Sequence, residues 1–248
     1  MIEVKNISKS FAGEKVLDDI SCTFESGKTN LIIGASGSGK TVLMKCMIGL
    51  YNIDEGDIEY DGRSYVSMSA QDRTLIRQEL GMLFQGGALF DYMTVEGNVM
   101  FPLDMFTKMT PAEKLERVNF CLRRVDLEGR NKVMPSQLSG GMIKRVAIAR
   151  AISLNPRYLF CDEPNSGLDP KTAGIIDELI SEITTEYNIT TIVNTHDMNS
   201  VFMIGDHVNF IYQGQLRWRG TKDEVMKTGN QELDDFIFAT ELTKRLRT

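Results

Sequence analysis

Apolar residues recur along this chain in two patterns, as short runs bounded by turn residues and as longer stretches with helical spacing. The first 34 residues hold three short runs, and the Gly, Asp and Ser turns between them predict strands over residues 2–4, 20–24 and 31–33. Over residues 29–34 the chain is apolar enough for a buried strand of a parallel sheet. Further strands are predicted over residues 56–62 and, as a buried strand, over residues 80–84.

Helical spacing begins after residue 39, with apolar side chains at Val42, Leu43, Cys46, Met47 and Leu50. Residues 94–155 are helix-rich, with one amphipathic helix predicted over residues 112–125 and a second from Ser139 to just before Asn155. Strands are predicted over residues 158–161 and 190–194, with a helix between them over residues 171–187. Residues 208–212 and 215–218 are predicted to form a β-hairpin, and residues 232–247 a helical tail. Alternating strands and helices predict an α/β fold with a parallel sheet, into which the block 94–155 is inserted.

The composition is that of an ordinary globular protein and narrows the possible functions. Of 248 residues, 28 are Lys or Arg and 34 are Asp or Glu, and the formal net charge of −6 argues against a general nucleic-acid binder. The four cysteines form no CxxC pair and the chain has two histidines, which argues against a cysteine-built zinc site. Neither a signal peptide nor an apolar run of membrane-spanning length is visible, so a cytoplasmic protein is expected.

A glycine-rich segment joins the strand over residues 29–34 to the first helix. Its residues are Gly34, Ala35, Ser36, Gly37, Ser38, Gly39, Lys40 and Thr41, which fit the pattern G-x-x-x-x-G-K-[ST]. Glycines let consecutive backbone N–H groups turn inward around an anion, and the helix start adds its positive dipole end. Lys40 is therefore expected to reach the outer phosphates of a nucleotide, and the Thr41 hydroxyl is expected to bind Mg²⁺.

Two carboxylates end the apolar strand predicted over residues 158–161. Asp162 is expected to complete the Mg²⁺ site, which leaves Glu163 free to polarise an attacking water molecule. His196 follows the strand over residues 190–194, and parallel neighbouring strands bring their carboxyl ends to one edge of the sheet. We therefore expect Lys40, Glu163 and His196 to converge there, with His196 contacting the γ-phosphate.

A second glycine-rich helix start lies at Ser139, Gly140 and Gly141. Ser139 is predicted to be the helix N-cap, and the two glycines expose backbone N–H groups, so the chain carries a second anion-binding end. With the phosphate loop upstream and Asp162 lying 23 residues after Ser139, the arrangement resembles the ATP-binding-cassette (ABC) ATPase family. The resemblance covers nearly the whole chain, through about residue 220.

The fold that this resemblance implies is α/β, with a P-loop NTPase core of the RecA-like kind, an N-terminal antiparallel β subdomain and an inserted α-helical subdomain. The ABC ATPase domain is expected over residues 1–220, with the helical subdomain at about 94–155, and a helical tail over residues 221–248. Ser139, Gly140 and Gly141 match the family's signature motif, which closes on the ATP of a second subunit. The resemblance therefore implies a homodimer that sandwiches two ATP molecules.

The same resemblance assigns roles to individual residues. Phe11 matches the aromatic residue that stacks on adenine, and Gln85 matches the family's Q-loop glutamine. It implies that ATP is bound by Phe11, by residues 34–41 and by Ser139, Gly140 and Gly141. It implies that catalysis uses Glu163, His196, Lys40 and Gln85, and that Mg²⁺ is held by Thr41, Gln85 and Asp162. Met142 and Asn165 depart from the usual Gln and Thr of the family, and neither departure removes a phosphate contact in this scheme.

The chain also resembles one type of ABC ATPase in particular, the maintenance-of-lipid-asymmetry type. This resemblance is carried by residues 84–95 and 98–103 and by Met142 at the end of the signature motif. This resemblance implies lipid transport between bacterial membranes, with a membrane permease, a periplasmic MCE-domain protein, and a position on the cytoplasmic face of the inner membrane. Apolar residues crowd the start of the insert, and Phe90, Tyr92 and Met93 are the first choices for the permease contact. The alternative is that these residues are the insert's own core.

Two other functions stay open at this point. An importer of a small solute or an exporter of lipoprotein shares every catalytic residue, so only the segment at residues 85–103 and Met142 discriminate. A non-transport cassette of the cell-division regulator type is a further alternative. A phosphate-loop kinase or GTPase is disfavoured because neither uses a second glycine-rich anion site.

Overall fold

Two β-sheets and the helices packed around them make up the fold over residues 1–238, which are the residues that the computed structural model describes. The strands are β1 (Ile2–Phe11), β2 (Glu14–Phe24), β3 (Thr29–Ile33), β4 (Glu55–Tyr60), β5 (Arg63–Ser64), β6 (Leu80–Leu83), β7 (Tyr158–Asp162), β8 (Thr190–Thr195), β9 (His207–Tyr212) and β10 (Gln215–Thr221). The helices are α1 (Lys40–Met47), α2 (Ala70–Gln78), α3 (Val95–Phe106), α4 (Pro111–Arg124), α5 (Gly140–Ala151), α6 (Pro170–Glu186), α7 (Met198–Ile204) and α8 (Gln231–Ile237), with a 3₁₀ turn at Pro135–Gln137. The predicted tail helix over residues 232–247 begins as α8, and its part after residue 238 lies outside the described residues.

The smaller sheet is antiparallel, with the strand order β2-β1-β4-β5. Ile2 pairs with Phe24 on one side and with Tyr60 on the other, so β1 lies inside the sheet. The strands predicted over residues 2–4 and 20–24 are parts of longer strands, because pairing continues past register shifts between Val4 and Ser10. Such irregular pairing blurs the alternation of buried and exposed positions, which is the signal that sequence offers.

The larger sheet has the order β10-β9-β3-β8-β7-β6 and is parallel except for the β9–β10 hairpin. All five residues of β3 are buried, as expected for a strand covered on both faces. Ile33 pairs with Thr195, and Asp162 pairs with Asn194. The segments that follow β3, β7 and β8 therefore leave the same edge of the sheet.

The helices α3, α4 and α5 form a helical insert between β6 and β7. Of these, α4 and α5 match the two predicted helices, and α3 is a further helix in the block predicted to be helix-rich. Thr110 caps α4 in a reciprocal pair with Glu113, directly before Pro111 at the first helical position. The expectation of a buried strand over residues 80–84 is wrong in part. The strand β6 ends at Leu83 and lies at the edge of the sheet, and Phe84 is 40% exposed.

The core is divided by the larger sheet. Ile32, Phe160 and Ile192 face the antiparallel sheet and α1, whereas Leu31, Cys161 and Val193 face the helices of the insert and α6. This alternation explains why the sheet's strands read as continuous apolar runs. The four cysteines are buried and carry free thiols.

Candidate nucleotide site

The loop between β3 and α1 has a backbone that requires glycine at defined positions. Gly34, Gly37 and Gly39 have φ angles of 148°, 80° and 107°, in the region that favours glycine. A Cβ atom on Gly34 would lie 2.2 Å from the backbone oxygen of Ile211, so a side chain has no room there. The Ser38 hydroxyl is buried without a hydrogen-bond partner among the described residues. A concave loop with an unpaired buried hydroxyl and a helix start suits an anion.

Lys40 opens α1 and is buried. Its Nζ donates to the backbone oxygen of Gly34 at 2.7 Å and to that of Ala35 at 3.0 Å. Burial lowers the pKa of the Lys40 ammonium, and the nearby carboxylates of Glu163 and Asp162 oppose that change. The lysine thus lies inside the loop and within the electrostatic influence of both strand-end acids.

Oxygen ligands meet at the end of β7. Asp162 Oδ1 lies 3.4 Å from the Thr41 hydroxyl and 3.2 Å from the side-chain nitrogen of Asn194. A hydroxyl and a carboxylate are the hard oxygen donors that Mg²⁺ prefers, so this pair fits that ion. The predicted third ligand, Gln85, is oriented differently: its Nε2 lies 3.4 Å from Ser166 Oγ, and no hydrogen bond within residues 1–238 joins it to Thr41 or Asp162.

Glu163 and His196 meet at the same edge. His196 Nδ1 lies 2.9 Å from Glu163 Oε1, and His196 is largely exposed. Glu163 has a left-handed backbone with φ 49°, and its N–H donates to the Asn194 carbonyl at 3.0 Å. Strained backbone of this kind is concentrated at functional sites. Of the three side chains expected to converge, these two are in direct contact, and Lys40 is coupled to Glu163 through charge.

The second glycine-rich helix start has the predicted cap. Ser139 Oγ accepts the N–H of Met142 at 3.3 Å, and Ser139 and Gly140 are exposed. A Cβ atom on Gly141 would lie 2.6 Å from Thr172 Cγ2, so glycine is required there by packing against α6. No hydrogen bond over the described part of the chain joins this helix start to the phosphate loop.

Phe11 ends β1 with an exposed ring. The ring packs edge-on against Tyr51, with centroids 5.2 Å apart, and Lys9 Nζ lies 5.3 Å from its centroid. An exposed aromatic ring can stack on a base. This position is compatible with the predicted adenine contact.

The start of the insert divides into core and surface. Leu89, Met100 and Met109 pack on the core, in agreement with the alternative that apolar residues here belong to the insert's own core. Tyr92 is 74% exposed and lies against the half-buried Phe90, with ring centroids 5.8 Å apart. The exposed part extends along α3, where Met105 and Phe106 are also exposed.

Two residues of this site were not singled out from the sequence. Asn194 contacts both strand-end acids, and the buried Lys144 of α5 donates to the Gln85 carbonyl and, at 3.4 Å, to the Glu163 carbonyl. The available signal was a polar residue at a position predicted to be buried. Asn194 follows two apolar residues in a strand that is buried throughout, and Lys144 lies on the buried face of its helix.

The motifs match a known family. A family model described as ABC transporter matches residues 17–166, which is more than half of the chain. The chain belongs to this family. None of the helices within residues 1–238 is both long and apolar enough to cross a membrane.

Curated ABC relatives include ATPases of different transporters. The chain is 35% identical over 237 residues to the intermembrane phospholipid transport system ATP-binding protein MlaF of Escherichia coli K12, which covers 96% of this chain and 88% of that protein. It is 36% identical over 253 residues to the methionine import ATP-binding protein MetN of Campylobacter jejuni, covering 96% and 75%. It is 34% identical over 236 residues to the probable ribonucleotide transport ATP-binding protein mkl of Mycobacterium leprae, covering 95% and 68%. The chain thus spans about two thirds of the mycobacterial relative.

Solved ABC structures share the whole architecture. The dimeric structure of MJ0796, a bacterial ABC transporter cassette, is 30% identical, has a TM-score of 0.82, and covers 90% of this chain and 99% of that one. A post-hydrolysis dimer of the same cassette with ADP and Pi has a TM-score of 0.81 at the same identity and coverage. The cbiO1 structure from Clostridium perfringens has a TM-score of 0.86 at 27% identity, covering 100% and 98%. The predicted ABC ATPase fold is confirmed, and the chain is an ABC-type ATPase that binds and hydrolyses ATP.

Proposed function

We propose that this ATPase powers lipid or phospholipid transport across the bacterial cell envelope through a partner permease. The proposal rests on the segment at residues 84–95 with Met142, which resembles the lipid-asymmetry type. The 35% identity to MlaF supports it. The 36% identity to MetN is of the same size, so a small-solute importer is the second candidate.

The catalytic unit is proposed to be a homodimer with two ATP molecules between the subunits. Each chain offers two separate anion-binding helix starts, the loop before Lys40 and the start at Ser139. In a head-to-tail dimer the first holds the phosphates and the second covers them from the other subunit. The dimeric state of MJ0796 supports this arrangement. Residues 1–220 form the proposed ATPase domain, and residues 221–248 form its C-terminal tail.

Within each site, the backbone N–H groups of residues 34–41 and Lys40 are proposed to bind the phosphates, with Phe11 against the adenine. Thr41 and Asp162 would hold Mg²⁺, joined by Gln85 if its amide turns from Ser166. When bound, Mg²⁺ neutralises charge on the phosphate oxygens. Glu163 accepts a proton from the attacking water, and His196 orients Glu163 and contacts the γ-phosphate.

Phe90, Tyr92 and Met93 are proposed to contact the permease. The exposure of Tyr92 and its tilted ring contact with Phe90 give a protruding apolar surface at the start of the insert. A permease contact places the ATPase on the cytoplasmic face of the inner membrane. A periplasmic MCE-domain protein is the proposed further member of the complex.

Purification from membranes of the native host tests this proposal. A tagged chain is expected to recover a permease, an MCE-domain protein and phospholipid above the level of an untagged strain, by mass spectrometry of proteins and lipids. Recovery of a solute-binding protein without an MCE-domain protein would overturn the lipid assignment while leaving the ATPase intact. Addition of methionine to the purified complex then tests the importer directly, through a rise in ATPase rate.

A further inference from the structure

A buried amide lies between the two acidic residues of the site. Asn194 is fully buried near the end of β8. Its Nδ2 lies 3.2 Å from Asp162 Oδ1 and 3.7 Å from Met44 Sδ, and its backbone oxygen accepts the Glu163 N–H at 3.0 Å. The parallel register pairs Asn194 with Asp162, so one residue of β8 reaches both acids.

This amide is costly for folding. Asn194 Oδ1 is buried without a hydrogen-bond partner among the described residues, and a buried unpaired acceptor lowers stability. Turning the amide around would set its oxygen against the Asp162 carboxylate, so charge fixes the nitrogen toward Asp162. An aliphatic side chain would fill a strand position of this kind without an unpaired acceptor. What an aliphatic side chain would lack at this position is the contact of the Asn194 amide with Asp162.

We propose that Asn194 is a positioning residue that holds Asp162 in the orientation that binds Mg²⁺, an inference that rests on the proposed role of Asp162. The amide contacts Oδ1, the same carboxylate oxygen that lies 3.4 Å from the Thr41 hydroxyl. It therefore fixes the direction of the oxygen that faces the other proposed ligand. Donors that orient a metal-binding carboxylate typically change metal affinity or activity about 10- to 100-fold when they are removed.

The structure supplies a matched control two strands away in the same sheet. Asn209 of β9 is also buried, donates its side-chain N–H to the Leu31 carbonyl at 3.2 Å, and also has an unpaired Oδ1. Asn194→Leu and Asn209→Leu therefore remove the same group from similar surroundings. Only Asn194 contacts an acidic side chain of the site.

The readout is the Mg²⁺ dependence of nucleotide binding, which requires no turnover. The Kd of the non-hydrolysable analogue AMP-PNP is measured with Mg²⁺ and with EDTA, for wild type, Asn194→Leu, Asn209→Leu and Asp162→Ala. For Asn194→Leu we expect the ratio of the two Kd values to fall on the order of 10-fold with no loss of thermal stability. For Asn209→Leu we expect the wild-type ratio.

The variants distinguish a failure of the proposed metal site from a failure of the proposed role of Asn194. If Asp162→Ala keeps the wild-type Mg²⁺ effect, the proposed metal site itself is wrong. If Asp162→Ala loses it and Asn194→Leu keeps it, the role of Asn194 is overturned and the metal site stands. A loss of Mg²⁺ dependence that parallels a loss of melting temperature in both leucine variants indicates packing alone and also overturns it. Asn194→Val, a good strand former, is measured in the same way if the leucine does not fold.

Discussion

Glu163 Oε1 and His196 Nδ1 lie 2.9 Å apart at the carboxyl ends of two adjacent parallel strands. The left-handed backbone of Glu163, with φ 49°, is a conformation that costs on the order of 1–3 kcal/mol, so its surroundings hold it in place. The bond from its N–H to the Asn194 carbonyl is part of that support. The result is a carboxylate beside a histidine at the edge from which the phosphate loop also emerges.

Replacing Glu163 with Gln tests the proton-accepting role. The amide keeps the size of the side chain and removes the basic oxygen, so the rate of ATP hydrolysis is expected to fall at least about 100-fold. ATP affinity is expected to stay close to wild type, because no phosphate contact is lost. Phosphate release and nucleotide binding are measured side by side, with the exposed Glu182→Gln as control. Hydrolysis near the wild-type rate would remove Glu163 from this role.

Replacing Lys40 with Ala separates binding from chemistry. Lys40 is the buried cation of the loop, and hydrogen bonds to charged groups contribute about 1.5–3 kcal/mol, so ATP affinity is expected to fall on the order of 10- to 100-fold. The control is Lys114→Ala, which removes a lysine paired with Asp104 on the insert. Equilibrium binding decides the point, and an unchanged Kd in the Lys40 variant would contradict the phosphate contact.

The sequence was sufficient to place the strand-end acids, the phosphate loop and His196 at one edge of the sheet, because each of these motifs directly follows a predicted strand of a parallel sheet. Ser139 as a helix cap and the insert between two strands of one sheet were also predictable, since caps and helical spacing are local signals. The helices α2 and α7 were not predicted: α2 is mostly exposed and polar, and α7 has seven residues, too few for a clear period.

Tertiary contacts account for what sequence reasoning missed. The sequence gives no register between strands, so it cannot show that Asn194 faces Asp162. Nor does it show that Lys144, on the insert, reaches the carbonyls of Gln85 and Glu163 across the boundary with the core. The edge position of β6 was hidden for the same reason, because strand order is a property of pairing and not of composition.

Replacing Gly140 with Asp tests the ATP sandwich. Gly140 is exposed, and a Cβ atom there would lie 3.3 Å from Leu168 Cδ2, so the side chain is accommodated with a small shift. A carboxylate at this helix start repels the phosphates of an ATP held by the other subunit. We expect ATP-dependent dimerisation and hydrolysis to be lost while ATP binding by each chain persists. Light scattering with and without ATP measures this, with the exposed Ser136→Asp as control; full activity in a monomer would refute the sandwich.

Replacing Tyr92 with Glu tests the permease contact. Tyr92 is largely exposed, so a charge there leaves the fold intact and opposes burial in an apolar interface. We expect less permease to co-purify, with the ATPase rate of the isolated chain unchanged. Met203→Glu, at an exposed apolar residue of α7, is the matched control. Equal recovery of permease with both variants would place the contact elsewhere.

Asp177 provides a test of stability against pH. It is 1% exposed in α6, and its Oδ2 accepts the Ser200 hydroxyl at 2.8 Å, while Asn165 donates to Ser200 at 3.0 Å. Burial raises the pKa of the Asp177 carboxyl, the hydrogen bonds of Ser200 and Asn165 oppose this, and the charge of Asp197 adds to it. Its proton is therefore held more tightly in the folded chain than in the unfolded one.

The direction of the pH dependence of stability follows from this tighter proton binding in the folded chain. The stabilisation from the bound proton is complete below the unfolded pKa of about 3.9, and it is lost as pH rises through the higher folded pKa. Asp177→Asn keeps an acceptor for Ser200 and cannot ionise. We expect the variant to gain stability over wild type as pH rises from 4 to 8, by on the order of 1–3 kcal/mol at the upper end. Urea unfolding at each pH measures the difference between the variant and wild type, and a difference that stays constant with pH would show that Asp177 is ionised in the folded protein throughout.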